Sequence, residues 1–117
     1  MRYVDGYVIP VPKKHLKTYI GMAGMGKKMW MKHGALDYKE CVGEDLKTKW
    51  GTSFSKMMKL KPGETVVFSY IVFKSRAHRD RVNAKVMKEM EKMSEMKEMP
   101  FDVKRMVYGG FTVLVDV

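Results

Sequence analysis

The sequence predicts an α+β fold: a ferredoxin-like β-α-β-β-α-β sandwich, with two helices on one face of a four-stranded antiparallel sheet. Three observations predict it. The hydrophobic period switches between two residues and three to four along the chain, in the order strand, helix, strand, strand, helix, strand. Helix stop signals, Gly34 and Pro100, fall where the period changes. The third and fourth strands carry large apolar residues at both parities, so both faces of the sheet need cover. At 117 residues one domain is expected, spanning 1–117.

Tyr3–Val11 alternates as a strand, with Tyr3, Asp5, Tyr7, Ile9 and Val11 on one side and Val4, Gly6 and Val8 on the other. Pro10 has no amide donor, so that end of the strand belongs at an edge or outside the ladder. Pro12 suits the first turn of a helix. Lys13–His33 reads as that helix, with Leu16, Ile20, Ala23, Lys27 and Trp30 as its seam and Tyr19 beside it. Gly21, Gly24 and Gly26 each weaken it by up to about 1 kcal/mol relative to alanine. Packing must then hold the helix, and the expected reason for the glycines is close approach to the sheet.

Ala35–Val42 alternates as the second strand, with Leu36, Tyr38, Glu40 and Val42 pointing one way and Ala35, Asp37, Lys39 and Cys41 the other. Gly43–Glu64 is long for a connection and carries Trp50, Ser53, Phe54, Met57 and Met58. It is expected to be a lid, an arm or partly structured. It closes with Lys61-Pro62-Gly63-Glu64, whose proline and glycine sit where a type II turn wants them. Thr65–Phe73 is the third strand. Ser75 is a good N-cap for the second helix, whose buried stripe is expected to be Val82, Val86, Met90 and Met93. This helix is expected to fray from Glu95 to Met99 and stop at Pro100. Lys104–Val117 is the final strand, with a bulge expected at Gly109-Gly110.

The formal net charge of +10 invites a polyanion partner, RNA or DNA. Against it, the lysines scatter from Lys13 to Lys104 without a block of like charge, and no RNA-binding aromatic signature occurs. No run of apolar residues is long enough to cross a membrane, so no membrane partner is expected. Met1 to Gly6 does not read as a signal peptide, and Cys41 has no cysteine to pair with. These features lead to an expected cytoplasmic location.

Four separated segments carry a resemblance. They are Tyr3 to Pro12, His33 to Cys41, Ser75 to Met87, and Met99-Pro100-Phe101-Asp102 with Arg105 to Phe111. In that order they resemble the YbaA-like bacterial domain of unknown function, over nearly the full chain. The resemblance implies a dimeric α+β barrel, a grouping that also holds antibiotic-biosynthesis-type monooxygenases and EthD-like and NIPSNAP-like proteins. It implies no activity of the family's own. In the related fold a cleft between sheet and helices holds the substrate.

Two constellations could carry chemistry. Arg79 and Asn83 are four apart on one helix face and could anchor a carboxylate or carbonyl group. The structural alternative is that Arg79 pairs with Asp5, Asp80 or Glu40 and staples helix to sheet. His78 is offset by about 100° from Arg79 and does not converge with them. Asp5 with Tyr7, and Tyr38 with Glu40, share parity within their strands. If register allows, they face one compartment with Tyr108 and could orient or deprotonate a phenolic or quinone-like ligand. The alternative is a polar dimer interface, where tyrosine is common.

Other candidates carry less. His33 suits a helix C-terminus, and nothing marks Cys41 as a nucleophile. His15, His33 and His78 lack the spacing of a zinc site. Met87, Met90, Met93, Met96 and Met99 recur every three residues, a step that drifts around a helix and cannot make one copper-binding face. The expectation is therefore a homodimer binding or transforming a small aromatic or carbonyl compound without cofactor or metal. Arg79, Asn83, Tyr38, Tyr108, Glu40 and Tyr7 are its candidate ligand residues. Whether it is an enzyme stays open. The alternatives are a polyanion-binding module using Lys47 to Lys61, or a structural dimer with no ligand.

Overall fold

The computed structural model describes residues 1–93 and 99–117. It contains four strands, β1 (Tyr3–Pro12), β2 (Asp37–Val42), β3 (Glu64–Phe73) and β4 (Val107–Thr112), and three α-helices, α1 (Leu16–Lys32), α2 (Phe54–Met57) and α3 (Arg76–Lys92). The strands form one antiparallel sheet in the order β2-β3-β1-β4, the ferredoxin-like arrangement read from the sequence. β1 lies in the middle, with Val4 opposite Val72 on one side and Phe111 on the other. β4 stops pairing opposite Val8. Pro10 falls beyond it, where that edge of β1 has no neighbouring strand to receive an amide.

α1 and α3 pack on the sheet face that carries Asp5, Tyr7, Ile9 and Val11. The core has two parts. One gathers Ile9, Val11, Tyr19, Ala23, Val67 and Phe101; the other gathers Trp30, Ala35, Ile71, Phe73, Val82 and Val86. Phe73, Val11, Val82 and Val86 are fully enclosed. Burying large apolar side chains contributes about 1.5–3 kcal/mol each, and the buried Tyr19 and Trp30 are what hold α1 with its three internal glycines. Ser75 caps α3 by accepting from the His78 amide, and Gly34 takes a positive φ to end α1.

Several sequence expectations need correction. The buried seam of α1 is Tyr19, Ala23, Gly26 and Trp30; Ile20 and Lys27 are exposed. Only Gly26 approaches the sheet, while Gly21 and Gly24 face open space. Val82 and Val86 are buried in α3, but Met90 and Met93 are exposed. The last strand is shorter than expected at both ends: Val103–Arg105 forms a 3-10 turn before it, and pairing with β1 stops at Thr112. No bulge interrupts it: Gly109 and Gly110 pair in continuous register with Gly6 and Asp5. The fraying from Glu95 and the position of Met96 lie outside the described residues.

The connection after β2 is partly structured. Ser53 caps the single turn of α2, and Gly63, at φ 82°, makes the tight return with a Glu64 N–H bond to the Lys61 carbonyl. Arg105 fastens this return. It donates to both carboxylate oxygens of Glu64, at 2.7 and 3.0 Å, and to the carbonyls of Met58 and Lys59.

Candidate functional site

Strand register decides which side chains share the space under the helices. Tyr7 lies opposite Ser69 of β3 and Tyr108 of β4, and Glu40 of β2 lies opposite Ser69. Asp5 and Tyr38 both lie opposite Ile71. Asp5, Tyr7, Tyr38, Glu40 and Tyr108 therefore all stand on the helix-facing side.

They divide into two centres. At the first, Asp5 is buried at 3% exposure and accepts from Arg79 Nη1 at 2.7 Å and from Asn83 Nδ2 at 3.2 Å. Asn83 Oδ1 accepts from the Trp30 indole at 3.0 Å, so α1, α3 and β1 meet in one chain of bonds. Arg79 also donates to Asp80 at 2.7 Å and lies 4.9 Å over the Tyr3 ring. A buried carboxylate needs such partners, and Asp5 has them.

At the second centre, Glu40 accepts from Tyr19 Oη at 2.7 Å and from Tyr38 Oη at 2.6 Å. Tyr38 and Glu40 reach it from the same side of β2, two residues apart. Tyr19 descends from α1. Gly26 lets α1 come this close, since a Cβ built there would stand 3.0 Å from the Tyr38 oxygen. Burial, and next the hydrogen bond to Glu40, push the Tyr19 and Tyr38 phenols far above their ordinary pKa. Burial, with the Asp5 charge next, pushes Tyr7 up to about 12. Tyr7 and Tyr108 stack at 5.8 Å.

Two hollows meet at Glu40. A groove of about 400 Å³ on the flank of α1 is lined by Tyr19, Ile20, Gly24, Lys27, Tyr38 and Glu40. Behind it lies a chamber of about 120 Å³ whose walls include Tyr7, Met22, Trp30, Ser69 and Met106. Tyr19, Tyr38 and Glu40 line both. A larger hollow of about 600 Å³ lies under the 43–63 connection, among Lys13, Glu44, Lys47, Thr48 and Ser53. Its charges are mixed, and the Thr48 and Ser53 hydroxyls serve the loop's own turns. The groove at Glu40 combines apolar walls with convergent polar groups, which is what a small-molecule site requires.

Residues 2–103 match the model of the family described as a protein of unknown function, DUF1428. The chain is also 38% identical over 116 residues to the uncharacterized protein YbaA of Escherichia coli strain K12, covering 99% of each. The chain belongs to the DUF1428 family. The uncharacterized protein YbaA of Shigella flexneri is equally similar, at 38% identity over 99% of both chains. Among solved structures the chain is similar to a de novo designed protein, Foldit4, with a TM-score of 0.46 and 13% identity over 97% of this chain and 99% of that one. That likeness is too distant to bear on function.

Within this family member, the candidate residues separate as follows. Glu40, Tyr38 and Tyr7 line the Glu40 hollows. Tyr108 is mostly exposed and touches them only through its stack on Tyr7. Arg79 and Asn83 are turned to Asp5, Asp80 and Trp30, the stapling alternative, and line neither hollow. His78 accepts the Lys74 amide through Nδ1, and burial lowers its pKa. His33 bonds Glu89 at 2.8 Å, tying the end of α1 to α3. Tyr19 was not foreseen as a site residue. The available signal was Glu40 itself: an inward carboxylate needs donors, and Tyr19 was the phenol beside the α1 seam. Among the described residues, no group of three His, Cys, Asp or Glu side chains is placed to hold a metal.

Proposed function

We propose that this protein binds, and is equipped to deprotonate, a small aromatic or carbonyl compound without a cofactor. One observation carries the reading: a carboxylate held by two phenols where a ring-sized groove meets an apolar chamber. A ligand hydroxyl, or a carbon beside a ligand carbonyl, gives its proton to Glu40, and the electron pair stays on the ligand oxygen. Glu40 then holds the phenol protons less strongly. Tyr19 and Tyr38 can turn their O–H groups toward the new oxyanion. The walls of Ile9, Met22, Ile71 and Phe101 limit water beside the charge.

The test uses a Trp50→Phe background, so that Trp30 is the remaining indole. Phenols and diketones are titrated by fluorescence, and their ionisation is followed by absorbance. Glu40→Gln should retain part of the binding and lose the ionisation. Equal ionisation by the Glu40→Gln protein would refute the reading.

A homodimer belongs to the same proposal. The sheet face away from the helices carries Val4, Val8, Phe68, Tyr70, Val107 and Phe111; Phe68 is 45% and Phe111 60% exposed. A second copy laid on this face would cover it and complete the α+β barrel. Light scattering should give twice the chain mass, and Phe68→Lys should halve it.

A second reading, polyanion binding, is supported by the exposure of Lys47, Lys49, Lys56, Lys59 and Lys61 on the 43–63 connection. RNA retention that falls steeply with salt would favour it, and none at low salt would dismiss it. No helix among the described residues is long and apolar enough to cross a membrane; a cytoplasmic location remains part of the proposal.

A further inference from the structure

We infer that the ligand of the Glu40 groove is an aromatic carboxylate carrying a ring hydroxyl. The inference rests on the Glu40 reading above and adds the ligand's chemical class. It follows from what the groove offers at its two ends. At the inner end, both phenol protons point at Glu40, so Tyr19, Tyr38 and Glu40 together present only acceptor lone pairs. A ligand has to bring a donor to this end. A hydroxyl does so at lower desolvation cost than an ammonium, among walls that include Ile20 and Ala23.

At the outer end stands Lys27, a donor without acceptor capacity. Among the described residues it has no carboxylate partner. It calls for an anion. Tyr19 and Lys27 are about 12 Å apart along α1 at the helical rise. Both side chains line one groove, and the flexible four-carbon stem of Lys27 lets its ammonium meet a group carried on a ring seated against Tyr19 and Glu40. Gly24 lies between them, and a Cβ there would meet nothing within 4 Å, so the path is clear. The groove, at about 400 Å³, has room for a single ring with a group at each end.

The experiment titrates 4-hydroxybenzoate, benzoate and phenol into the full chain and follows Trp30 fluorescence in the Trp50→Phe background. 4-Hydroxybenzoate should bind up to about fivefold more tightly than either one-ended probe, the worth of one ion pair to an exposed lysine. Lys27→Met should lower its affinity to that of phenol and leave phenol binding unchanged. Lys28→Met is the control, because it removes the same charge from an equally exposed lysine that does not line the groove. The inference is overturned if phenol matches 4-hydroxybenzoate, or if Lys28→Met weakens binding as much as Lys27→Met. Either result leaves the Glu40 reading standing, provided phenol binding still depends on Glu40. No response to any probe overturns both.

Discussion

Three glycines in one helix give a test in which the same substitution should act with opposite sign. In an exposed helix interior, alanine is better than glycine by about 0.8–1 kcal/mol. Gly21 and Gly24 have nothing within 4 Å of a built Cβ, so Gly21→Ala and Gly24→Ala should each stabilise the protein by about that amount. Gly26→Ala receives the same benefit and meets an obstacle. Its Cβ would sit 3.0 Å from the Tyr38 oxygen, and that oxygen cannot easily retreat, being 2.6 Å from Glu40 Oε2. Overpacking of this kind costs about 1–3 kcal/mol, leaving a net loss of up to about 2 kcal/mol.

Urea unfolding measures the difference. With a slope of about 1.5 kcal/mol/M, a change of 1 kcal/mol moves the midpoint by about 0.7 M. Gly21→Ala should raise the midpoint and Gly26→Ala should lower it. Equal increases would refute the claim that Gly26 is what lets α1 reach the Tyr38–Glu40 bond.

Asp5→Asn should cost about 1.5–3 kcal/mol in denaturant unfolding, since Arg79 loses its buried partner and keeps only the exposed Asp80; a loss below about 1 kcal/mol would count against the staple. Tyr7, with its pKa raised to about 12, contributes stability that is whole below the ordinary phenol value of 10.0 and is lost as pH rises through 12. Tyr7→Phe should therefore flatten the fall in thermal midpoint on the alkaline side. Hydrogen bonding from Arg105 holds the Glu64 carboxyl below its ordinary 4.5. Its contribution is present above that value and lost as pH falls through the lower folded value, so Arg105→Gln should reduce the acid sensitivity of the urea midpoint.

The fold was legible because β1 and β2 alternate, β3 is an apolar run of strand length, and the strand parities survive in the observed register. The α1 seam was harder to read. Ala23 and Trp30 belong both to the seam with Ile20 and Lys27 and to the one with Tyr19 and Gly26, so helical period alone leaves two neighbouring faces open. Hydrophobicity could not choose the correct one, because its centre is a glycine selected for closeness. Strand parity brought Tyr7, Tyr38 and Glu40 toward one compartment, which spacing can report. It could not assign Asp5, which shares that parity and yet belongs to Arg79. That depends on which helix lies over which strand, and only tertiary packing decides it. The 3-10 turn before β4 was equally hidden, since Asp102 caps it through a local side-chain bond to the Lys104 amide.

The strand order also bears on how the chain reaches its native state. Only β2 and β3 are neighbours both in the sheet and among the strands of the sequence, and the 43–63 connection separates even these. β1 must wait for β3, and then for β4 from the far end of the chain. Each ladder closes a long loop before it yields a bond, so folding should take milliseconds to seconds rather than microseconds. During synthesis β1 emerges well before β3 and β4, its partners in the sheet. Its alternating Val4, Val8, Ile9 and Val11 leave apolar edges unpaired for that interval, when a nascent chain is most open to wrong pairing.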